Sequence, residues 1–425
     1  MPEKTLRVAA PGATLEDLPP TPDFDSYPVP AAIIAAARED DGRILRLDWS
    51  DGRVSRYHAI WLRDNASDTD HLNLETREQR GDVTALPKDT RVATASIDQV
   101  GALEIGWAAA ESVSRFHPGW LYAHDYSNPH HSSPLATDDA AIEPRPWDAE
   151  TLAEPPTFDG AAFFEDDDLL EAWLTAICRH GIGRLRDLPV EAGTVARVAE
   201  RIGPLRETNF GRIFDVRVQT GPGSNAYTTA ALTPHTDLPT REYQPGLQFL
   251  HCLRNSGTGG RAIMADGYRL AAALREADPR AFDLLTTVEW PSSNRAPDSD
   301  YRWQSPVIRL DEQGHVLELR VAPFLRAPLA VAFDEVEEVY HVLRLFFEMT
   351  AEPSLQMRFD YRPGDLVAFD NRRILHGREA YEEITGERWL QGCYGEREEL
   401  LSRLRILARR RRAAALDDAE PNSRA

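Results

Sequence analysis

Apolar and polar residues alternate in short runs near the start of the chain, which is the pattern of half-buried β-strands. Ile44–Trp49 follows this alternation, Asp51-Gly52 supplies a turn, and residues 54–57 resume it. An Asp-Gly pair between two such runs favours a hairpin turn. Together with a further strand at Leu103–Trp107, the pattern predicts a small β-rich domain over residues 31–126.

Helical periodicity begins later and marks a larger domain, residues 159–407. Acidic residues 166–168 precede an apolar stripe at helical spacing, formed by Leu169, Leu170, Trp173, Leu174 and Ile177. A second helix is predicted from Glu335 to Met349, with a buried face of Val336, Val339, Tyr340, Leu343 and Phe347. Strand-like runs such as 246–253 and 366–369 dominate the rest. A mainly β domain with a few flanking helices fits a double-sheet jelly roll.

Three segments lack such periodicity. Residues 1–30 are rich in Pro, Asp and Thr and predict a disordered tail. Residues 127–158 are dense in Pro, Ser and His and predict a linker or a wrapping segment. Residues 408–425 form a charged tail that begins with four arginines, 409–412, and we expect it to be frayed and solvated.

Composition is that of an ordinary globular protein, with 42% hydrophobic and 28% charged residues among 425. A net charge of −21 argues against nucleic acid or an anionic membrane as the main partner. The chain has no apolar run long enough for a membrane span, and its first residues lack the apolar core of a signal peptide. The three cysteines, Cys178, Cys252 and Cys393, are far apart, so we expect reduced thiols and a cytoplasmic location.

Candidate metal chemistry centres on His235-Thr236-Asp237 and on the distant His376. Two histidines and one carboxylate are the ligands of the facial triad that holds non-haem Fe(II) and leaves coordination positions open. Alternate side chains of an extended segment leave by one face, so His235 and Asp237 can share an ion while Thr236 points away. A His-x-Asp pair alone is common on surface loops, so its interpretation depends on the residues that accompany it.

Arg388 is the accompanying residue, since it follows His376 within a largely apolar stretch. Such an arginine is costly unless its planar fork meets a carboxylate. A 2-oxoglutarate molecule that chelates iron through its keto-acid end would present its distal carboxylate to this group. The alternative is an arginine whose stem packs while its head reaches water.

Several longer motifs resemble the γ-butyrobetaine dioxygenase and trimethyllysine dioxygenase family of Fe(II)- and 2-oxoglutarate-dependent oxygenases. They are His235-Thr236-Asp237-Leu238-Pro239 and residues 244–253, 369–378 and 400–407. The resemblance runs from about Tyr57 to Leu407. It implies a double-stranded β-helix, Fe(II), 2-oxoglutarate and O2 as co-substrates, stimulation by ascorbate, and a homodimer.

The same resemblance implies a small quaternary-ammonium substrate, with γ-butyrobetaine hydroxylated to L-carnitine as the leading reaction. A trimethylammonium group is recognised by ring faces, and the matched cage positions are Phe210, Phe214, Tyr227 and Tyr394. Asn225 is a matched polar contact for the co-substrate or the substrate. Arg326 either meets a substrate carboxylate or forms an external salt bridge.

The chain departs from the family in the N-terminal domain, where members hold a structural zinc with three cysteines and a histidine. Trp61-Leu62-Arg63-Asp64-Asn65 matches, but no cysteine follows, and Ser112 stands at the histidine position. No structural zinc is therefore expected. Asp68, Asp70 and His71 could hold an ion, although a solvated polar loop explains them better.

Three alternatives remain open. The same machinery could act on trimethyllysine or on another amine or amino-acid metabolite. A metal-dependent hydrolase or isomerase would have further ligands and no role for Arg388. A non-catalytic binding or scaffold protein would have lost at least one of the three ligands.

Overall fold

The computed structural model describes residues 17–108, 110–128, 142–218, 228–257, 259–381 and 387–419. The chain divides into two compact units, one of residues 1–141 with 408–425 and one of residues 142–407. Within the described part of the chain, no helix combines the length and the apolar character needed to cross a membrane.

Between residues 17 and 128, the described part of the first unit forms two three-stranded antiparallel sheets and two short α-helices. Its elements are β1 (Ile33–Glu39), β2 (Ile44–Trp49), β3 (Val54–His58), α1 (Ala59–Asp64), β4 (Val92–Ile97), β5 (Leu103–Trp107), β6 (Val113–Phe116) and α2 (Pro118–Ala123). The predicted hairpin of β2 and β3 and the predicted strand β5 are confirmed. Trp49 and Tyr57 of the hairpin are almost fully buried in the core of this unit.

A polar network holds the loop after α1 in the first unit. Ser114 Oγ donates to Asp68 Oδ2 at 2.6 Å, and Asp68 Oδ1 lies 2.5 Å from His71 Nδ1. Arg63 donates to Ser114 Oγ at 3.1 Å. This loop is therefore tied to β6 and is not the freely solvated segment that the sequence favoured.

Both ends of the first unit are more ordered than the sequence suggested. Residues 1–16 lie outside the described residues, but Val29 is buried and Tyr27 donates to Asp23 Oδ2 at 2.7 Å. At the other end a helix continues through the basic run, and Arg409 and Arg412 lie 3.0 and 3.2 Å from Asp25. The expectation of a frayed C-terminus was wrong for these residues, because the run is compensated by an acidic partner.

The second unit is built on two larger sheets. The six-stranded sheet has the order β7-β8-β18-β11-β20-β9, and the four-stranded sheet has the order β10-β19-β12-β17. Their bounds are β7 (Thr157–Asp159), β8 (Ile182–Arg186), β9 (Phe214–Val216), β10 (Leu232–His235), β11 (Leu247–Asn255), β12 (Ala262–Asp266), β17 (Met357–Phe359), β18 (Leu366–Asp370), β19 (Ile374–Arg378) and β20 (Arg388–Gly395). Two hairpins are formed by β13 (Trp290–Ala296) with β14 (Ser299–Ser305) and by β15 (Ile308–Leu310) with β16 (Val316–Leu319).

Helices flank these sheets: α3 (Asp167–His180), α4 (Thr194–Glu200), α5 (Gly267–Ala277), α6 (Pro279–Thr287) and α7 (Val336–Ala351). The helix α8 (Arg397–Ala419) belongs to this unit up to Leu407. The predicted first helix is confirmed, since Asp166 caps α3 by accepting from the Leu169 N–H at 2.9 Å. The second is confirmed in position as α7, but its predicted face was partly wrong. Tyr340 is 47% exposed, and Val342 and Phe346 are buried instead, because apolar residues occupy much of the circumference of α7 and several stripes were possible.

The period of two along β11 places side chains in two different cores. Phe249 belongs to a cluster with α3, α4 and α8, whereas Leu250 and Cys252 belong to a cluster to which both large sheets contribute. The segment before β7 joins the second cluster through Trp147, whose N–H donates to Asp266 Oδ2 at 3.0 Å. Residues 142–158 therefore wrap the second unit instead of forming a free linker.

Candidate active site

Two neighbouring strands bring the candidate histidines together. His235 at the end of β10 is in register with His376 on β19, and their ring centroids lie 4.3 Å apart. The strands approach so closely that a Cβ on Gly377 would lie 2.4 Å from the Leu232 carbonyl oxygen. Glycine at this position is thus required for the spacing of the two imidazoles.

Asp237 completes the group just beyond β10. Its Oδ1 lies 3.2 Å from His235 Nε2 and 3.7 Å from His376 Nε2. One ligand atom from each of the three residues lies within 4.8 Å of the others. Thr236 turns the other way, because its Oγ1 accepts from the Val321 N–H at 3.0 Å. This alternation is the one that the His-x-Asp spacing predicted.

The protonation of the imidazoles suits a metal. His235 Nδ1 lies 2.9 Å from the Thr233 carbonyl oxygen, which can only accept, so Nδ1 carries a proton and Nε2 is the atom available to a metal. Burial lowers the pKa of His376 to about 3, and this imidazole is neutral near pH 7. Its Nδ1 is buried without a hydrogen-bond partner in the described residues. The donor set therefore fits a divalent transition metal.

Asn371 fixes the main chain of Asp237, the candidate carboxylate ligand, and the sequence analysis missed this contact. It follows β18, its side chain is fully buried, and its Oδ1 accepts from the Asp237 N–H at 2.7 Å. Its Nδ2 donates to the carbonyl oxygens of Asp237 and Pro245, each at 3.1 Å. The next residue after the ligand, Leu238, has φ +55°, so the clamp holds a backbone that is disfavoured for a leucine.

A buried ion pair anchors the turn that leads into β19. The guanidinium of Arg373 donates to Asp266 through Nε at 3.0 Å and through a terminal nitrogen at 2.8 Å. Both side chains are almost fully buried. This paired geometry fixes the start of the strand that carries His376.

The ring of Tyr394 lies beside two other predicted cage residues, and its hydroxyl has a further contact. The ring centroid is 5.0 Å from that of Phe214, which is 6.3 Å from that of Phe210. The hydroxyl donates to Asp237 Oδ2 at 2.7 Å. The sequence drew attention to this ring but not to the hydrogen bond between its hydroxyl and the candidate carboxylate ligand.

A single cavity of about 460 Å³ connects these groups. The triad, the rings of Phe210, Phe214 and Tyr394, and Arg388 all line its wall. Ser293, Asn294 and Arg295 of β13 also line it, and nothing in the local sequence of this hairpin had indicated so. A cavity of this size accommodates a small co-substrate and a small substrate together.

Arg388 is 7% exposed, and its Nε is buried without a hydrogen-bond partner in the described part of the chain. Arg378 is a second buried arginine on the cavity wall, and its Nε donates to the Ala230 carbonyl oxygen at 3.4 Å. Burial and the field of Arg388 lower the pKa of Arg378 to about 10. Within the described residues no carboxylate forms an ion pair with Arg388, so this end of the cavity is strongly suited to an anion.

The remaining predicted contacts are less defined. Asn225 and Tyr227 lie outside the described residues. Arg326 is exposed and lines the cavity, and its Nε donates to the Pro323 carbonyl oxygen at 2.9 Å. No described carboxylate forms an ion pair with it, so the external salt bridge that the sequence allowed is not found among the described residues.

Two known protein families match successive segments of the chain. Residues 138–394 match the family described as taurine catabolism dioxygenase TauD, TfdA family. Residues 37–122 match the family described as gamma-butyrobetaine hydroxylase-like, N-terminal.

Curated relatives match nearly the whole chain. Gamma-butyrobetaine dioxygenase of Pseudomonas sp. (strain AK-1) is 42% identical over 387 residues, covering 91% of this chain and 99% of that protein. The Homo sapiens gamma-butyrobetaine dioxygenase is 30% identical, covering 87% and 96%. Trimethyllysine dioxygenase of Meyerozyma guilliermondii is 26% identical, covering 86% and 94%. A solved asparagine oxygenase in complex with Fe(II) has a TM-score of 0.42 at 20% identity, covering 53% of this chain and 79% of that one.

Proposed function

Because this chain belongs to the TauD, TfdA family and to its γ-butyrobetaine dioxygenase branch, we propose that it hydroxylates γ-butyrobetaine to L-carnitine. It is an Fe(II)- and 2-oxoglutarate-dependent dioxygenase. The observation that carries the choice of substrate is a single cavity. It is lined by the three candidate ligands, by an arginine without a described carboxylate partner, and by a cluster of three aromatic rings.

His235, Asp237 and His376 would hold the iron. When bound there, ferrous iron with 2-oxoglutarate and dioxygen supplies the oxidation that hydroxylates an unactivated C–H bond. The residues around the ligands keep them in place before the metal arrives: Asn371 fixes the Asp237 backbone, and Tyr394 orients its carboxylate. Ascorbate would stimulate turnover by keeping the iron ferrous.

Arg388 would bind the distal carboxylate of 2-oxoglutarate. Its burial without an acidic partner in the described chain is unfavourable unless a ligand supplies the anion. The neighbouring Arg378 adds positive potential at the same end of the cavity. Asn225 would contribute a further polar contact to the co-substrate.

The aromatic cluster would bind the trimethylammonium end of the substrate. That group offers no hydrogen-bond donor, so ring faces are the appropriate partners. Phe210, Phe214 and Tyr394 supply three of them, and Tyr227 would supply a fourth. The substrate carboxylate would meet Arg326 on the cavity wall.

The charges of the described wall favour γ-butyrobetaine over trimethyllysine. Trimethyllysine carries an additional α-ammonium group, whose positive charge an acidic partner would compensate. Asp237 is the one carboxylate among the described lining residues, and it serves as a metal ligand. γ-Butyrobetaine has no such group.

We further propose that the two large sheets form the double-stranded β-helix of a jelly roll, within an oxygenase domain of residues 159–407. The β-rich domain of residues 31–126 would fold without zinc, its loop held by the network around Asp68. A homodimer in the cytoplasm is the proposed assembly and location.

The test follows 2-oxoglutarate consumption with γ-butyrobetaine, trimethyllysine and unrelated amines, with and without Fe(II). We expect iron-dependent turnover that is greatest with γ-butyrobetaine. Turnover with a different amine and none with γ-butyrobetaine would reject the proposed substrate.

A variant pair tests the role of Arg388. Arg388→Met should raise the 2-oxoglutarate concentration needed for half-maximal turnover. Arg254→Met is the matched control, because Arg254 lies on the adjacent strand β11 and is largely exposed. An unchanged 2-oxoglutarate requirement in Arg388→Met would reject its assignment.

A further inference from the structure

We propose that the hydroxyl of Tyr361 is a second donor to the distal carboxylate of 2-oxoglutarate, beside Arg388. The inference rests on the proposed function of this cavity and assigns a residue to it that neither motif nor spacing indicated. It also gives a reason for the preference of the site for a dicarboxylic 2-oxo acid.

Tyr361 is held firmly in the inner core of the second unit. It follows β17, its ring centroid lies 5.4 Å from that of Phe359, and its carbonyl oxygen accepts from Asn255 Nδ2 at 2.7 Å. The residue is 4% exposed and nevertheless lines the cavity. Its hydroxyl is therefore directed by a rigid backbone and a packed ring.

The hydroxyl is buried and makes no hydrogen bond within the described residues. A buried phenol normally has a partner, because removing it from water without one is unfavourable. Since the residue lines the cavity, a ligand in the cavity can supply the missing acceptor.

Arg388 is a second residue of this cavity with a buried donor that lacks an acceptor in the described chain. Burial raises the pKa of the Tyr361 hydroxyl, and the nearby positive charge of Arg388 opposes that rise. Both line the cavity, and both carry a buried polar atom without a partner in the described chain. Two buried donors that line the same cavity and lack an acceptor match a carboxylate, whose two oxygens accept several hydrogen bonds.

Tyr381 provides a matched comparison. Its ring lies 5.7 Å from the Arg388 guanidinium carbon, and it is also buried, but it is not among the lining residues of the cavity. Loss of its hydroxyl would leave the ring beside the arginine. It should therefore have no effect on a ligand that Tyr361 contacts.

The experiment measures dissociation constants by calorimetry on the Fe(II)-loaded full chain without oxygen. The two ligands are 2-oxoglutarate and 2-oxobutyrate, which has the same keto-acid end but no distal carboxylate. Tyr361→Phe should weaken 2-oxoglutarate binding about tenfold, the loss of one hydrogen bond to a charged group. Binding of 2-oxobutyrate should not change, and Tyr381→Phe should bind both ligands as the parent protein does.

Two results would overturn the inference: Tyr361→Phe binding 2-oxoglutarate like the parent, or losing affinity for both acids equally. Thermal unfolding of the apoprotein checks the fold, and Tyr361→Phe should be at least as stable as the parent because the hydroxyl has no partner. A parent protein that binds the two acids equally would instead refute the proposed function of Arg388, which separates the two failures.

Discussion

Replacement of Asn371 by alanine should weaken metal binding although Asn371 is not one of the three candidate ligands. The fully buried amide accepts from the Asp237 N–H and donates to two carbonyl oxygens. Alanine would leave all three backbone groups without a partner. At roughly 1–2 kcal/mol for each buried group, the free energy of unfolding should fall by about 3–6 kcal/mol.

Measuring the metal affinity distinguishes a role of Asn371 in positioning Asp237 from a role in stability alone. Groups that orient a ligand typically contribute about 10- to 100-fold to metal affinity, and we expect a loss in this range for Asn371→Ala. Asn371→Asp keeps the volume and the acceptor for the Asp237 N–H but loses the two donated bonds. It should also bind metal weakly, because its carboxylate would face two carbonyl oxygens.

Co(II) titration and urea unfolding of the apoprotein are the assays, with Gln356→Ala as control. Gln356 is another buried amide, and it donates to the Thr350 carbonyl oxygen without contacting a ligand. The control should lose stability but retain metal affinity. If Asn371→Ala loses stability and still binds Co(II) like the parent, the clamp is not a positioning device.

Three further predictions concern the ring and hydroxyl of Tyr394, the buried imidazole of His251, and the spacing of β10 and β19. Tyr394→Phe keeps the ring beside Phe214 and removes the hydrogen bond to Asp237, so metal affinity should fall while the KM for γ-butyrobetaine stays unchanged. Tyr394→Leu also removes the ring and should raise that KM as well. Equal KM values of the two variants in steady-state assays would contradict separate roles for the ring and the hydroxyl. Burial lowers the pKa of His251 from 6.5 to about 4, so the unfolded chain binds the proton first and stability is lost as pH falls from about 6.5 toward 4. Between pH 7 and pH 5, the free energy of unfolding of His251→Leu should fall by up to about 2 kcal/mol less than that of the parent. An equal fall in the two proteins, measured by urea unfolding, would count against this prediction. Gly377→Ala should separate β10 from β19 and abolish Co(II) binding, because the new Cβ would lie 2.4 Å from the Leu232 carbonyl oxygen. A variant that binds Co(II) like the parent in a titration would show that the two strands can adjust.

Local patterns were sufficient to predict much of the fold. The Asp-Gly turn, the capped stripe of α3 and the alternation around His235 are each encoded by residues near one another in the sequence. The face of α7 was misplaced because its sequence contains more than one apolar stripe, and tertiary contacts decide between them. Residues 17–30 and 408–419 meet through the pairing of Asp25 with Arg409, which no local pattern indicates.

The candidate site, like the fold, could be predicted from the sequence only in part. Side chains of distinctive type, the three candidate ligands and Arg388, stood out in the sequence, and the structure places them on one cavity. The supporting contacts did not stand out, because Asn371 and Tyr361 act through contacts between distant segments. Their roles follow from burial and hydrogen-bond partners, which only the folded chain provides.

The most direct test of the proposed metal centre is an anaerobic Fe(II) titration of the parent protein and of Asp237→Ala, followed by addition of 2-oxoglutarate. The parent should bind one Fe(II) per chain and change its visible absorption when 2-oxoglutarate is added, whereas the variant should do neither. A variant that still takes up one Fe(II) and responds to 2-oxoglutarate would contradict the assignment of His235, Asp237 and His376 as the iron ligands.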